Sequence, residues 1–126
     1  MTTKQTHPVL DTSNDHFRRV DGDMRRMMVS QIARMTLFGI SGGRVEAIEH
    51  GIKLPVAHGY AVTVELDADD TYVVRRTFTR KPKGALLPVT YLHGEAEGVY
   101  CERLSEVCYY ASCYVSYDAD EWPTKA

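Results

Sequence analysis

Side chains able to do chemistry are plentiful in this 126-residue chain, but few stand at spacings that chemistry uses. Three cysteines crowd the C-terminal part, at Cys101, Cys108 and Cys113. A tetrahedral zinc site wants close pairs such as CxxC plus a further pair, and these intervals supply none. Cys101 and Cys108 are seven apart and fall on one face of a helix, so small apolar packing is the expected role of both. His50, His58 and His93 each sit in or near a turn without a partnered nucleophile, and no serine occupies a GxSxG elbow. The turn Asp67-Ala68-Asp69-Asp70 gathers carboxylates. Read as an EF-hand loop, however, it puts Tyr72 where glycine is needed and Phe78 where a bidentate glutamate belongs. Ser41-Gly42-Gly43 is followed by a strand pattern rather than a helix N-terminus, which removes a phosphate cradle. No catalytic residue, metal ligand or cofactor is expected.

Two other groupings could bind rather than react. Arg75, Arg76, Arg80, Lys81 and Lys83 form a basic run beside Tyr72 and Phe78, the outline of a strand surface for single-stranded nucleic acid. Tyr72 and Phe78 are needed for a core, and Asp67, Asp69 and Asp70 oppose phosphate, so a solvated strand and turn is the plainer account. Nucleic-acid binding through Arg75, Arg76, Arg80 and Lys83 stays as the alternative. Arg76 and Arg44 around a phosphate would instead make a sponge for small nucleotides. The second grouping is aromatic. Tyr100, Tyr109, Tyr110, Tyr114 and Tyr117 crowd one segment, with Trp122 just beyond. One helix face cannot bury them all on one sheet, and exposed aromatics with polar tips suit protein interfaces. Tyr109, Tyr110, Tyr117 and Trp122 are the candidate partner-binding residues.

The elements that must carry these groups centre on the strand pair from Gly59 to Arg80. Tyr60, Val62, Val64 and Leu66 alternate with Ala61, Thr63 and Glu65, and after the aspartate turn Tyr72, Val74 and Phe78 alternate with Val73, Arg75, Thr77 and Thr79. Pairing Leu66 with Tyr72 and Tyr60 with Phe78 puts both apolar sets on one face, and a slip of one residue would expose one of them. Arg76 is the exception, falling on the apolar side opposite Val62. Its expected place is near a sheet edge, with its stem buried and its head wet.

Upstream, Met1 to about Asp21 is polar and aperiodic and reads as a mobile arm whose end Phe17 and Val20 could pin. Asp23 can cap a helix over Met24–Phe38, with Met24, Met28, Ile32 and Met35 in one buried stripe, Met27, Gln31 and Phe38 beside them, and Arg25, Arg26 and Arg34 on the wet side. Such a methionine stripe can also serve as an adaptable surface. Short strands follow over Arg44–Glu49 and Ile52–Val56, and another over Leu86–Leu92 carries Pro88. A second helix runs from about Tyr100 to Val115, with Leu104, Val107, Cys108, Ala111, Tyr114 and Val115 in its stripe, extended upstream by Tyr100 and Cys101. The fold class is α+β: an antiparallel β-meander of four to five strands packed against an N-terminal and a C-terminal helix. Residues 1–22 form the arm, 23–118 a single domain and 119–126 a tail.

Composition sets the outer limits. With 44% apolar and 25% charged residues the chain is an ordinary globule, and a formal net charge of −2 gives no global pull toward nucleic acid or an anionic membrane. There is no apolar run of transmembrane length and no signal-peptide h-region, so the expectation is a cytoplasmic protein with reduced thiols.

Three blocks carry a resemblance: Ile40-Ser41-Gly42-Gly43-Arg44, then LPVAHGYAVTVELDADDTYVVRRTFTR from Leu54, then VYCERLSEVCYYASCYVSYD from Val99. From about Ile40 to Asp118 the chain resembles small uncharacterised proteins encoded by phages of mycobacteria and related actinobacteria. The resemblance brings no activity, cofactor or catalytic residue. It implies a context, a phage gene expressed inside a bacterium, where many small accessory proteins act by binding host components. The expected function is therefore a non-enzymatic protein that binds a host protein through its tyrosine surface, with a homodimer as a further possibility.

Overall fold

The computed structural model describes residues 8–13 and 15–113. Two helices, α1 (Gly22–Ser30) and α2 (Arg34–Ser41), precede five strands and a third helix. The strands are β1 (Glu46–Ile48), β2 (Gly51–Pro55), β3 (Tyr60–Leu66), β4 (Tyr72–Arg80) and β5 (Val89–Val99), followed by α3 (Cys101–Cys113). The sheet order is β1-β2-β3-β4-β5 with every neighbour antiparallel, which is the meander that the alternation predicts.

The central pair has the expected register: Leu66 lies opposite Tyr72, Val64 opposite Val74, Val62 opposite Arg76 and Tyr60 opposite Phe78. Asp70 turns the chain at a positive φ of 68°, and Asp69 accepts from the backbone N–H and the hydroxyl of Thr71. Short polar side chains are the ones that tolerate that backbone state. β5 starts at Val89 and runs to Val99, later and longer than the expected Leu86–Leu92. Pro88 has no N–H to give a ladder, so pairing begins after it.

On one face Ile52, Leu54, Val62, Val64 and Val74 meet Met28 of α1, Ile40 of α2 and Leu104, Val107, Cys108 and Ala111 of α3 in a single core. Each such aliphatic side chain, fully withdrawn from water, contributes about 1.5–3 kcal/mol. Of the stripe predicted for α3, Leu104, Val107, Cys108 and Ala111 are buried, Tyr100 and Cys101 are exposed where the helix opens, and Tyr114 and Val115 lie outside the described residues.

The expected single helix over Met24–Phe38 is two. Asp21, not Asp23, caps α1, its carboxylate accepting from Met24 N at 2.8 Å. Past Ser30 the chain leaves the helical path, and Ala33 is extended, with φ −56° and ψ 137°. Its N–H donates to Ser105 Oγ of α3 at 3.1 Å instead of to a carbonyl one turn back. The break re-phases the helical residues beyond it. Met28 and Ile32 stay buried, whereas Met35 is 83% exposed and Phe38 65% exposed. Arg25, expected on the wet side, reaches inward and donates to Ile48 O at 2.6 Å and Gly51 O at 3.1 Å.

The larger correction concerns the opposite face. Alternation points Ala61, Val73, Arg75 and Thr77 outward, yet all four are buried. The expected mobile arm covers part of that face, with Asp15 and Phe17 lying over Val73 and Arg75. Pro8–Leu10 lies along the start of β5, with Leu10 N donating to Thr90 O and Leu92 N to Pro8 O. The chain then crosses the sheet, bridges Phe17 to Asp67, and donates from Arg18 N to Leu66 O and from Val20 N to Glu49 O before entering α1. Val20 is buried and Phe17 half-buried, so both pin the strap as their apolar character suggests.

Gly51 marks the tightest approach within the sheet. A Cβ there would stand 1.9 Å from Val64 O, a backbone atom that cannot swing away. Gly51→Ala is expected to lower the unfolding free energy by about 1–3 kcal/mol, the usual range for overpacking. Urea melts of the two proteins check it, and an unchanged midpoint would show that β2 and β3 can spread.

Candidate functional site

Two arginines adjacent in β4 must point to opposite faces, because side chains alternate along a strand. Neither reaches solvent: Arg75 is 5% exposed and Arg76 3% exposed. The expectation of a wet guanidinium near a sheet edge fails for Arg76, since β4 is flanked on both sides and α3 lies above it.

Arg75 lies under the strap. Its Nη1 and Nη2 bond both oxygens of Asp15 at 2.9 and 2.7 Å, and its Nε bonds Glu95 Oε2 at 2.6 Å. Glu65 Oε1 is 3.7 Å from Nη1, and the ring of Phe17 is 5.1 Å from the guanidinium carbon. Burial alone would lower the Arg75 pKa, but the bonds to Asp15 and Glu95 outweigh it and hold the pKa above its ordinary value. Three carboxylates around one cation leave a negative surplus. Burial accordingly pushes Glu65 above the usual carboxylate range, against the pull of Arg75. A guanidinium forked onto one carboxylate and bonded to another has no edge left for a phosphate.

Arg76 lies under α3. Its Nη1 donates to Ala111 O at 2.7 Å in the last described turn, where a cation also complements the helix dipole. Its guanidinium carbon stands 4.4 Å over the ring of Tyr60, which packs with Phe78 at 4.7 Å and His93 at 5.5 Å between centroids. Burial lowers its pKa, with Tyr60 and Cys113 acting in the other direction. Among the described residues its Nε has no hydrogen-bond partner.

The structure therefore does not gather the basic run. Arg75 and Arg76 are buried on opposite faces, Arg80 is exposed with its guanidinium carbon 5.8 Å from the Tyr91 ring, and Lys83 is exposed in the β4–β5 turn. Arg44 and Arg76 do not bracket a phosphate either. Arg44 lines a groove of about 370 Å³ with Glu46, Lys53 and His58, on the side away from Arg76. A second recess, about 320 Å³, lies between α1 and the start of α3 and is lined by Met24, Met27, Gln31, Tyr72 and Cys101. In it Tyr72 donates to Gln31 Oε1 at 2.6 Å, a bond that satisfies the buried phenol. Cys108 is buried, and burial pushes its thiol up to about 12, which leaves it inert as a nucleophile. Among the described residues no group of three or more His, Cys, Asp or Glu is placed to hold a metal ion.

Tyr109 and Tyr110 are both exposed, edge to face at 6.2 Å between centroids. A hydrogen bond with Cys113 one turn on raises the Tyr109 pKa. Sequence reasoning missed their companions Met35 and Phe38, which the helix break turns outward on α2, the helix packed beside α3. Tyr117 and Trp122 lie outside the described residues. The other omission was the set of carboxylates on Arg75. A signal for it existed, since Ala61, Val73 and Thr77 are too apolar a set for a solvated sheet face.

The geometry defines an α+β protein whose five-stranded meander is covered on one face by three helices and crossed on the other by its own N-terminal segment. No protein-family model, curated protein or solved structure matches the chain. Among the described residues no helix is long and apolar enough to cross a membrane.

Two expectations follow from the Arg75 cluster. Asp15→Ala should lower stability by about 1–3 kcal/mol, the usual range for leaving a buried hydrogen-bonding group unpaired. It should also speed proteolysis within residues 8–20, while exchange at the β3 and β4 amides stays slow. Glu65→Gln tests the surplus charge. A raised carboxyl pKa means that protonation favours the folded state, so wild type gains stability on Glu65→Gln as pH falls through the window just above the ordinary glutamate range. At neutral pH, where Glu65 is ionised, the variant should be at least as stable, and equal pH profiles in urea melts would refute the assignment.

Proposed function

We propose that the protein is a non-enzymatic, phage-encoded accessory protein that acts in the cytoplasm of a bacterial host by binding a host protein through the exposed face of α2 and α3. The observation that carries the reading is the exposure of Met35 and Phe38 on α2 and of Tyr109 and Tyr110 on α3. These are long or aromatic side chains left in water on two helices that pack together, and the aromatic ones lose little conformational freedom when covered. Methionine adds a side chain that can adapt to a partner's shape. The phage context implied by the sequence resemblance supports a partner from the host rather than a small ligand.

The occupant this surface suits is an apolar helix or groove of a foreign protein, met by flat tyrosine faces with their hydroxyls at the rim. Capture from host lysate, identification of the retained protein and titration of that purified partner test the reading. Tyr109→Ala/Tyr110→Ala and, separately, Met35→Asp should each weaken binding at least about tenfold with an unchanged thermal midpoint, as expected for anchors central to an interface. Two results would sink it: a captured protein that binds the variants as tightly as wild type, or a homodimer that buries Met35 and Tyr109 at the concentrations where the partner binds.

A further inference from the structure

The turn between β4 and β5 takes no part in the helical surface or in either arginine cluster. It runs through residues 81–88, Lys-Pro-Lys-Gly-Ala-Leu-Leu-Pro, and ends in two adjacent leucines left open to water. Leu86 is 91% exposed and Leu87 75% exposed. Single aliphatic side chains scattered over a surface are ordinary, but two neighbours held in water at a hairpin tip are not. The tip is also shaped in advance. Ala85 N donates to Pro82 O at 2.9 Å, Gly84 takes a positive φ of 84°, and prolines bound the segment at Pro82 and Pro88.

Charge is the second, independent observation. Arg80, Lys81 and Lys83 are exposed around the leucines. From Thr71 to Gly94 the sequence has no aspartate or glutamate, so the segment that carries the turn is basic although the chain as a whole is −2. Among the described residues the aromatic ring that meets these cations is Tyr91, beneath Arg80 on the sheet. Single-stranded nucleic acid would use the cations but leave both leucines in water, with no ring in residues 81–88 for a base to stack on. A fluid anionic surface uses both groups at once.

We propose that the β4–β5 turn is a lipid-docking tip, in which Leu86 and Leu87 enter the acyl boundary of an anionic bilayer while Arg80, Lys81 and Lys83 meet its headgroup phosphates. Aliphatic side chains need no directional partner in hydrocarbon, and cations on flexible stems reach the phosphates from just above it. Attraction to the anionic surface fades within a Debye length, which makes the contact sensitive to salt. Two leucines and three cations give reversible, peripheral association rather than permanent anchoring. The tip shares no residue with the α2–α3 surface, so the inference holds or fails apart from the proposed function.

The test is sedimentation of the full chain with vesicles of phosphatidylglycerol and phosphatidylcholine against vesicles of phosphatidylcholine alone. Binding is expected only to the anionic vesicles and should fall with added salt. Leu86→Asp/Leu87→Asp and Lys81→Glu/Lys83→Glu should each reduce it about tenfold or more, since each removes one of the two contributions. A Leu86→Trp probe in a Trp122→Phe background reports insertion directly, by a blue shift of its emission on anionic vesicles, and does not depend on the stability of the aspartate variant. Absent or charge-independent binding to vesicles overturns the proposal, as does an unshifted emission from the Leu86→Trp probe. Vesicle binding that the leucine variant retains in full would overturn it too, by assigning the cations to an electrostatic surface alone. Leucine-dependent binding to polyglutamate without vesicle binding would do the same, by assigning the tip to an acidic protein.

Discussion

Arg75 and Arg76 are consecutive in the middle of β4, and an extended strand sends consecutive side chains to opposite faces. Both faces of this sheet are covered, so two cations leave water on opposite sides of one layer. A buried charge is tolerated only where hydrogen bonds and opposite charge replace its water. The architecture around β4 can be understood as two different answers to that one demand. On one face the N-terminal strap lowers Asp15 onto Arg75, and β5 brings Glu95 beside it. On the other, the last described turn of α3 offers the carbonyl of Ala111 to Arg76, and Tyr60 offers the face of its ring.

The two answers differ in their surplus. Under the strap, carboxylates outnumber the cation, and Glu65 is held above the usual carboxylate range by its burial first and by the charge of Asp15 second. Under α3 the cation has only dipoles and ring faces among the described residues, and its own pKa is lowered by burial. Taking the head of Arg76 out of water ties the end of α3 to the sheet, and the same helix then presents Tyr109 and Tyr110 outward. The burial of one side chain and the display of two others are linked through a single helical turn.

How much of this is legible in the sequence depends on the distance over which each feature is specified. The register of β3 on β4 can be read from Tyr60 to Phe78 because alternation and a tight aspartate turn are local, and the structure has that register. The stripe of α3 is legible for the same reason. The break between α1 and α2 is not, because the group that receives the Ala33 N–H is Ser105, 72 residues away. Without that bond the methionine spacing runs on unbroken and carries Met35 into the core. The strap is illegible on similar grounds: Asp15, His16 and Phe17 have no period, and the residue that holds Asp15 lies 60 positions on. Of the candidate surface, Tyr109 and Tyr110 are visible as a surplus that one stripe cannot bury. Met35 and Phe38 become part of it only through the break.

The strap also sets an order of events. Residues 8–20 leave the ribosome before any of the groups that hold them, from Glu49 and Leu66 to Arg75, Thr90 and Leu92. Until β4 has emerged Asp15 has no Arg75 to meet, and until β5 has emerged Arg75 lacks Glu95. The segment synthesised first therefore finds its partners one strand at a time, and its last backbone bonds, with Thr90 and Leu92, wait for the strand made at the end.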